Sequence, residues 1–131
     1  MNRWIEYNPN PIGKRANDCA IRALCKALEP YIDVQRDKMW DIVYSIVHMA
    51  GYEKADMPST NDVWDDVLEW FKFRRYKMHY DMTVEEFCEE HPSGIYVLCL
   101  DGHVVTAVDG FFYDSWDSGK RIVLHYWERE G

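Results

Sequence analysis

Two Asp-Gly pairs, Asp101-Gly102 and Asp109-Gly110, constrain this chain more than any other feature. Asp-Gly between β-branched and aromatic runs signals a two-residue hairpin turn, because both central residues of that turn sit at positive φ. The runs flanking the two pairs are "GIYVLCL", "HVVTAVDG" and "FFYDSW", and a fourth, "RIVLHYWE", follows a Ser-Gly turn. Residues 94–128 therefore read as an antiparallel meander. A two-residue turn also decides which side chains share a face, since the side-chain period of a strand is two. With Asp109-Gly110 as the turn, Val108 pairs with Phe111, Val105 faces Asp114 and His103 faces Trp116. His103 and Asp114 are then diagonal neighbours on one face, roughly 7–8 Å apart. Asp117 points to the other face.

The preceding part of the chain has helical texture. Residues 1–16 read as an ordered arm, with turn chemistry in "NPNPIGK" and aromatic anchors at Trp4 and Tyr7. Residues 17–91 are mainly helical. A first helix over about 18–28 carries Ala20, Ala23, Leu24, Ala27 and Leu28 at helical spacing and stops before Pro30. Asp33 caps a second, which runs to a stop at Gly51, and "PSTND" opens a third with Val63, Trp64, Val67, Leu68 and Phe71 on one face. Thr83 and Glu86 form a capping box for a short fourth, "VEEFCEEH". The cluster Lys72, Arg74, Arg75 and Lys77 reads as the solvated end of the third helix. Helices followed by an antiparallel sheet make a single α+β domain over 1–131.

Fifteen Lys and Arg against 23 Asp and Glu give a net charge of −8. That balance argues against a nucleic-acid partner, which needs a basic footprint. No apolar run approaches the roughly 20 residues of a membrane span, and "MNRWIEYNPNPIG" has no apolar signal core. The four cysteines, at 19, 25, 88 and 99, show neither a CxxC pair nor a regular framework, so they read as reduced thiols of a cytoplasmic protein. Cys and His also lack the paired spacing of a zinc site.

Cys19 differs from the other three. With Asn17 or Asp18 as N-cap it falls in a first helical turn, near free N–H groups and the positive end of the macrodipole, which favours thiolate over thiol. Cys25, Cys88 and Cys99 read as packing residues. A thiol nucleophile needs a base and a group that orients the base. Of five histidines, His103 stands at the first position of a strand apolar on both faces, where a ring is held rigidly while facing a cleft. Asp114 is the acid that shares its face.

Cys19 at a helix start, His103 on a strand and "DSWD" at 114–117 resemble the papain-like cysteine peptidase superfamily. Its site residues run in the order Cys, His, Asn or Asp, with the third often in an Asn-Ser-Trp-Gly motif. Asp114-Ser115-Trp116 matches that motif with Asp for Asn, as in the compact bacteriocin-processing peptidases. The resemblance covers the helix from Asn17 and the sheet from Ile95 to Trp127. It implies a papain-like fold and a cysteine protease that cleaves an amide or isopeptide bond of a peptide or protein. Cys19 attacks, His103 serves as base and then acid, Asp114 orients His103, and Trp116 shields the His–Asp bond from water. It implies no metal or organic cofactor. The superfamily commonly has a Gln shortly before the cysteine as oxyanion donor. Gly13 stands there instead, which leaves the Cys19 N–H with Asn8, Asn10 or Asn17 as donors. The same triad serves deamidases and acyltransferases, and a chain without that Gln also fits a catalytically silent module that binds peptides.

Overall fold

The computed structural model describes residues 3–9, 19–34, 38–54 and 61–130, without the side chains at 19, 20, 50–54 and 61–65. In chain order the elements are β1 (Trp4–Glu6), α1 (Cys19–Leu28), a 3-10 turn (Glu29–Tyr31), α2 (Met39–Lys54), α3 (Asn61–Trp70), β2 (Phe73–Lys77), α4 (Val84–Glu90), β3 (Ile95–Leu100), β4 (His103–Val108), β5 (Phe111–Asp114) and β6 (His125–Arg129). The class is α+β. Its six strands form one mixed sheet in the order β1-β5-β4-β3-β6-β2.

Both Asp-Gly pairs are two-residue turns: Leu100 pairs with His103, and Val108 with Phe111. Asp109 at φ 51° and Gly110 at φ 84° are both left-handed, as a type I′ turn requires. The meander, however, stops at β5. The chain then returns to the free edge of β3, where β6 pairs Val97 with Trp127, so β6 is not the next strand beyond β5. Its hydrogen bonding to β3 begins with the Leu124 N–H, which donates to the Cys99 carbonyl at 2.8 Å. Before that the chain leaves the sheet, and Ile122 bridges to Thr83 instead.

Three further expectations need correcting. The basic segment "FRRYK" is not a helix end but the edge strand β2, paired antiparallel with β6. Exposed charges on an outermost strand discourage pairing with another chain, so the charge pattern fits an edge as well as a helix terminus. The arm contains a strand, β1, which runs parallel to β5 with Glu6 opposite Asp114. Asp33 does not cap α2, which starts at Met39 and continues through Gly51 to Lys54. The capping box at Thr83 and Glu86 is present in both directions, at 3.1 and 3.0 Å.

The sheet is covered on both faces. On one side α1 buries Ala23, Leu24, Ala27 and Leu28, and α2 and α3 add Val43 and Val67, all against Val97, Val104 and Trp127. On the other, α4 lays Val84, Phe87 and Cys88 on Leu98, Val105 and Phe112. The strand β4 is thus buried on both faces, and its first residue, His103, ends up at the rim of a dry layer.

Cys25 and Cys88 are fully buried, and burial pushes both thiols up from 9.0 to about 12. Below pH 9 they are neutral in the folded and the unfolded chain alike. Between about 9 and 12 only the unfolded chain ionises, so stability present below that window is lost as pH rises through it. Urea unfolding measured from pH 8 to 11 is expected to show this decline. Cys25→Ala combined with Cys88→Ala should flatten its slope, and an unchanged slope would remove the thiols as its cause.

Candidate active site

The pleat brings His103 and Asp114 together as the turn geometry requires. His103 closes the end of β4 at 9% exposure, and Asp114 closes β5 fully buried. Their side chains meet at 2.6 Å between Nε2 and Oδ2. An ionised carboxylate only accepts, so the ring donates through Nε2.

Asp114 is held from several directions. The Ser118 hydroxyl donates to Oδ2 at 2.7 Å, and the Ser115 backbone N–H donates to Oδ1 at 2.8 Å. The Arg22 guanidinium stands 3.9 Å from Oδ1, with both side chains buried. A buried carboxylate is costly unless its oxygens are hydrogen-bonded and its charge is paired, and this one has both. The Asp114 carbonyl is held as well, by the Tyr7 N–H at 2.8 Å and the Trp4 indole N–H at 3.0 Å. The arm thereby locks the end of β5 in place.

Trp116 lies against the imidazole, with ring centroids 4.9 Å apart and planes 35° from parallel. It covers one side of the ring while remaining 37% exposed itself. Asp117 is exposed, and its Oδ1 accepts from the Gly119 N–H at 3.0 Å.

Cys19 is the first residue of α1, as the sequence requires, and its side chain lies outside the description. The course of the helix can still be followed. Lys26 sits over the Tyr113 ring at 4.1 Å, the Thr106 hydroxyl donates to the Ala23 carbonyl at 2.5 Å, and Arg22 stands beside Asp114. Toward its N-terminus α1 therefore heads for the strand ends that carry the dyad. Position 19 is one turn before Arg22, on the same side of the helix.

The other expected site residues are less informative. Asn8 is exposed on the arm just after Tyr7, and Asn10, Gly13 and Asn17 lie outside the described residues. The remaining histidines sit elsewhere. His48 and His91 direct Nδ1 to the carbonyl one turn back, of Tyr44 and Phe87, His79 is exposed, and His125 packs edge-on to Trp127. Sequence reasoning missed Arg22 and Ser118. An Arg three residues after Cys19, among the apolar residues of the first half of the helix, was the available signal for the first. Ser118 was hidden in a segment that reads as a turn. Among the described residues no group of three His, Cys, Asp or Glu side chains is arranged to hold a metal ion, and no helix is long and apolar enough to cross a membrane.

No protein-family model, curated protein or solved structure is significantly similar to this chain.

Proposed function

We propose that the protein is a papain-like thiol hydrolase that opens an amide or isopeptide bond of a peptide or protein, working through a thioester at Cys19. The observation that carries this reading is the buried 2.6 Å His103–Asp114 bond, aligned with a helix that begins at a cysteine. A histidine with Nε2 tied to a carboxylate is fixed in ring orientation and stabilised as imidazolium, which a general base requires.

In this mechanism the Cys19 thiol proton passes to His103 Nδ1 and the thiolate attacks the carbonyl carbon. The Cys19 N–H, in the first turn of α1, donates to the developing oxyanion. As the C–N bond breaks, the imidazolium returns its proton to the departing amine and leaves a thioester. Water then adds, giving up a proton to His103. Collapse of that adduct releases a carboxylic acid and regenerates the thiol. Asp114 keeps the ring aligned throughout, and Trp116 limits water around the His–Asp bond, which strengthens it.

Iodoacetamide distinguishes the nucleophile from the packing thiols. In the folded protein at pH 7 Cys19 is expected to be alkylated first, while Cys25 and Cys88, with thiols pushed up to about 12, stay unmodified. Peptide mapping by mass spectrometry reads the result. Equal labelling of Cys19 and Cys88 would overturn the proposed activation.

A further inference from the structure

The sheet face under α4 is only partly covered by that helix. Leu98, beneath α4, pairs with Tyr126 on β6, which in turn pairs with Tyr76 on the outermost strand β2, so the three side chains share one face. Tyr126 sits against the helix, its ring 5.0 Å from Phe87 and 6.2 Å from His91. Tyr76 stacks on Tyr126 at 5.6 Å, with planes 24° apart. Tyr80, between β2 and α4, is 62% exposed. Tyrosine rings thus form a shelf that runs from the end of α4 to the edge strand.

Carboxylates rim this shelf. The Tyr76 hydroxyl donates to Glu130, and the Tyr80 hydroxyl to Glu90 at 3.3 Å. Both acids are exposed. Both phenols are pushed up, Tyr76 chiefly by its bond to Glu130 and Tyr80 chiefly by the charge of Glu90. The cations close by are already accompanied by acids. Arg74 lies opposite Glu128, and Lys72 shares a hollow with Glu69 and Glu130. The four acids outweigh these two cations, so the shelf is acidic like the chain as a whole, at −8.

Electron-rich rings bordered by carboxylates suit a cation that also donates hydrogen bonds. A guanidinium does both, lying flat on a ring and giving paired N–H groups to a carboxylate. A trimethylammonium group would meet the rings but offer the acids no donor. The chain seats its own cations on tyrosine elsewhere, Lys26 over Tyr113 at 4.1 Å and Arg129 over Tyr31 at 4.6 Å.

From this arrangement we infer that the shelf docks a basic, arginine-rich segment of a partner protein, its guanidinium groups stacked on Tyr76 and Tyr80 and paired with Glu130 and Glu90. β3 stands between β6 and β2 and the strands that carry His103 and Asp114, so the inference does not rest on the thiol-hydrolase reading.

The test titrates the full chain with Ac-Gly-Arg-Gly-Arg-Gly-NH2 and follows the Tyr76, Tyr80 and His103 resonances by NMR. Alternate arginines of an extended peptide point to one side. The peptide is expected to shift Tyr76 and Tyr80 in the millimolar range, and its own arginine side-chain protons should move upfield from lying over the rings. Citrulline at both positions keeps the shape, removes the charge and should weaken binding roughly tenfold or more. Trimethyllysine at both positions should also bind more weakly than arginine. The double variant Tyr80→Leu/Glu130→Gln, at two exposed positions, should weaken the arginine peptide roughly tenfold. Absence of shifts at about 10 mM peptide, equal binding of the citrulline peptide, or wild-type affinity in the double variant each overturns the inference. Shifts at His103 without shifts at Tyr76 and Tyr80 would place the peptide at the candidate active site and overturn it too. Trimethyllysine binding as tightly as arginine would make the shelf a methylammonium site and overturn the assignment to arginine.

Discussion

His103→Ala is expected to abolish the low-pH reactivity of Cys19 and leave a folded protein behind. An ordinary thiol, with a pKa near 8.5, loses thiolate tenfold per pH unit below that value, so at pH 5 about one in three thousand is ionised. A thiolate stabilised by an adjacent imidazolium keeps reacting there. Its intrinsic nucleophilicity is lower, which offsets part of the gain and leaves roughly a ten- to hundredfold advantage at pH 5. The alkylation profile of the wild type should therefore flatten below pH 6, whereas that of His103→Ala keeps falling. Peptide hydrolysis should drop further, by roughly 10²–10⁴, because the general base and acid is gone. Asp114 retains Ser118, the Ser115 N–H and Arg22, so thermal unfolding should stay cooperative. His48→Ala and His125→Ala should keep the wild-type profile. If His125→Ala removes the plateau, His103 is not the base.

Replacing the carboxylate should do more damage, because Asp114 is structural as well as orienting. Asp114→Ala removes the acceptor for His103 Nε2, the Ser118 hydroxyl and the Ser115 N–H at once. Each buried donor left without its partner costs about 1–3 kcal/mol, so a large fall in melting temperature should accompany the loss of activity. Asp117→Ala, which gives up only a local turn bond to Gly119, should stay near wild type in both. The amide variant is informative. Asp114→Asn can turn its oxygen toward His103 and Ser118, but its NH2 group then faces the Ser115 N–H and the Arg22 guanidinium, which are donors too. Asn should thus outperform Ala yet fall well short of Asp. In a Ser-His-Asp triad the same exchange costs on the order of 10⁴ in turnover, because the amide favours the wrong imidazole tautomer. Ser118→Ala keeps the carboxylate and removes one bond to it, a loss of about 1 kcal/mol that preserves folding. It should lower acylation of Cys19 by a smaller factor. The ranking is read from inactivation rates with an active-site-directed electrophile. If Asp117→Ala is the damaging change, Asp114 has no place in the site.

The part of the site carried by the hairpin is legible in the sequence. A turn of fixed length determines register, and register determines face, so Asp109-Gly110 alone made His103 and Asp114 neighbours. The capping box of α4 was legible for a related reason, since its bonds join residues three apart. What failed was long-range or ambiguous in period. Neither the pairing of β6 with β3 nor that of β1 with β5 leaves a local trace, and both depend on which sheet edge is free. In "FRRYK" charge outweighed the strand signal of Phe73 and Tyr76, because an edge strand and a helix end both tolerate exposed Arg and Lys. Gly51 reads as a helix stop by propensity, yet α2 continues past it, since propensity is a weak prior against tertiary packing. Arg22 acquires its meaning only from Asp114, nearly a hundred positions later.

The strand that locks Asp114 has a consequence in time. Trp4 bonds a carbonyl 110 residues further along the chain. At synthesis rates of roughly 5–20 residues per second, the arm waits on the order of five to twenty seconds for its partner strand to appear. Cys19 emerges early in that interval, with neither His103 nor Asp114 yet made. The last support of the carboxylate, Ser118, follows four residues after Asp114 itself. A His–Asp pair assembled in this way forms in one late step, when a growing chain has nearly all of its sheet to fold at once.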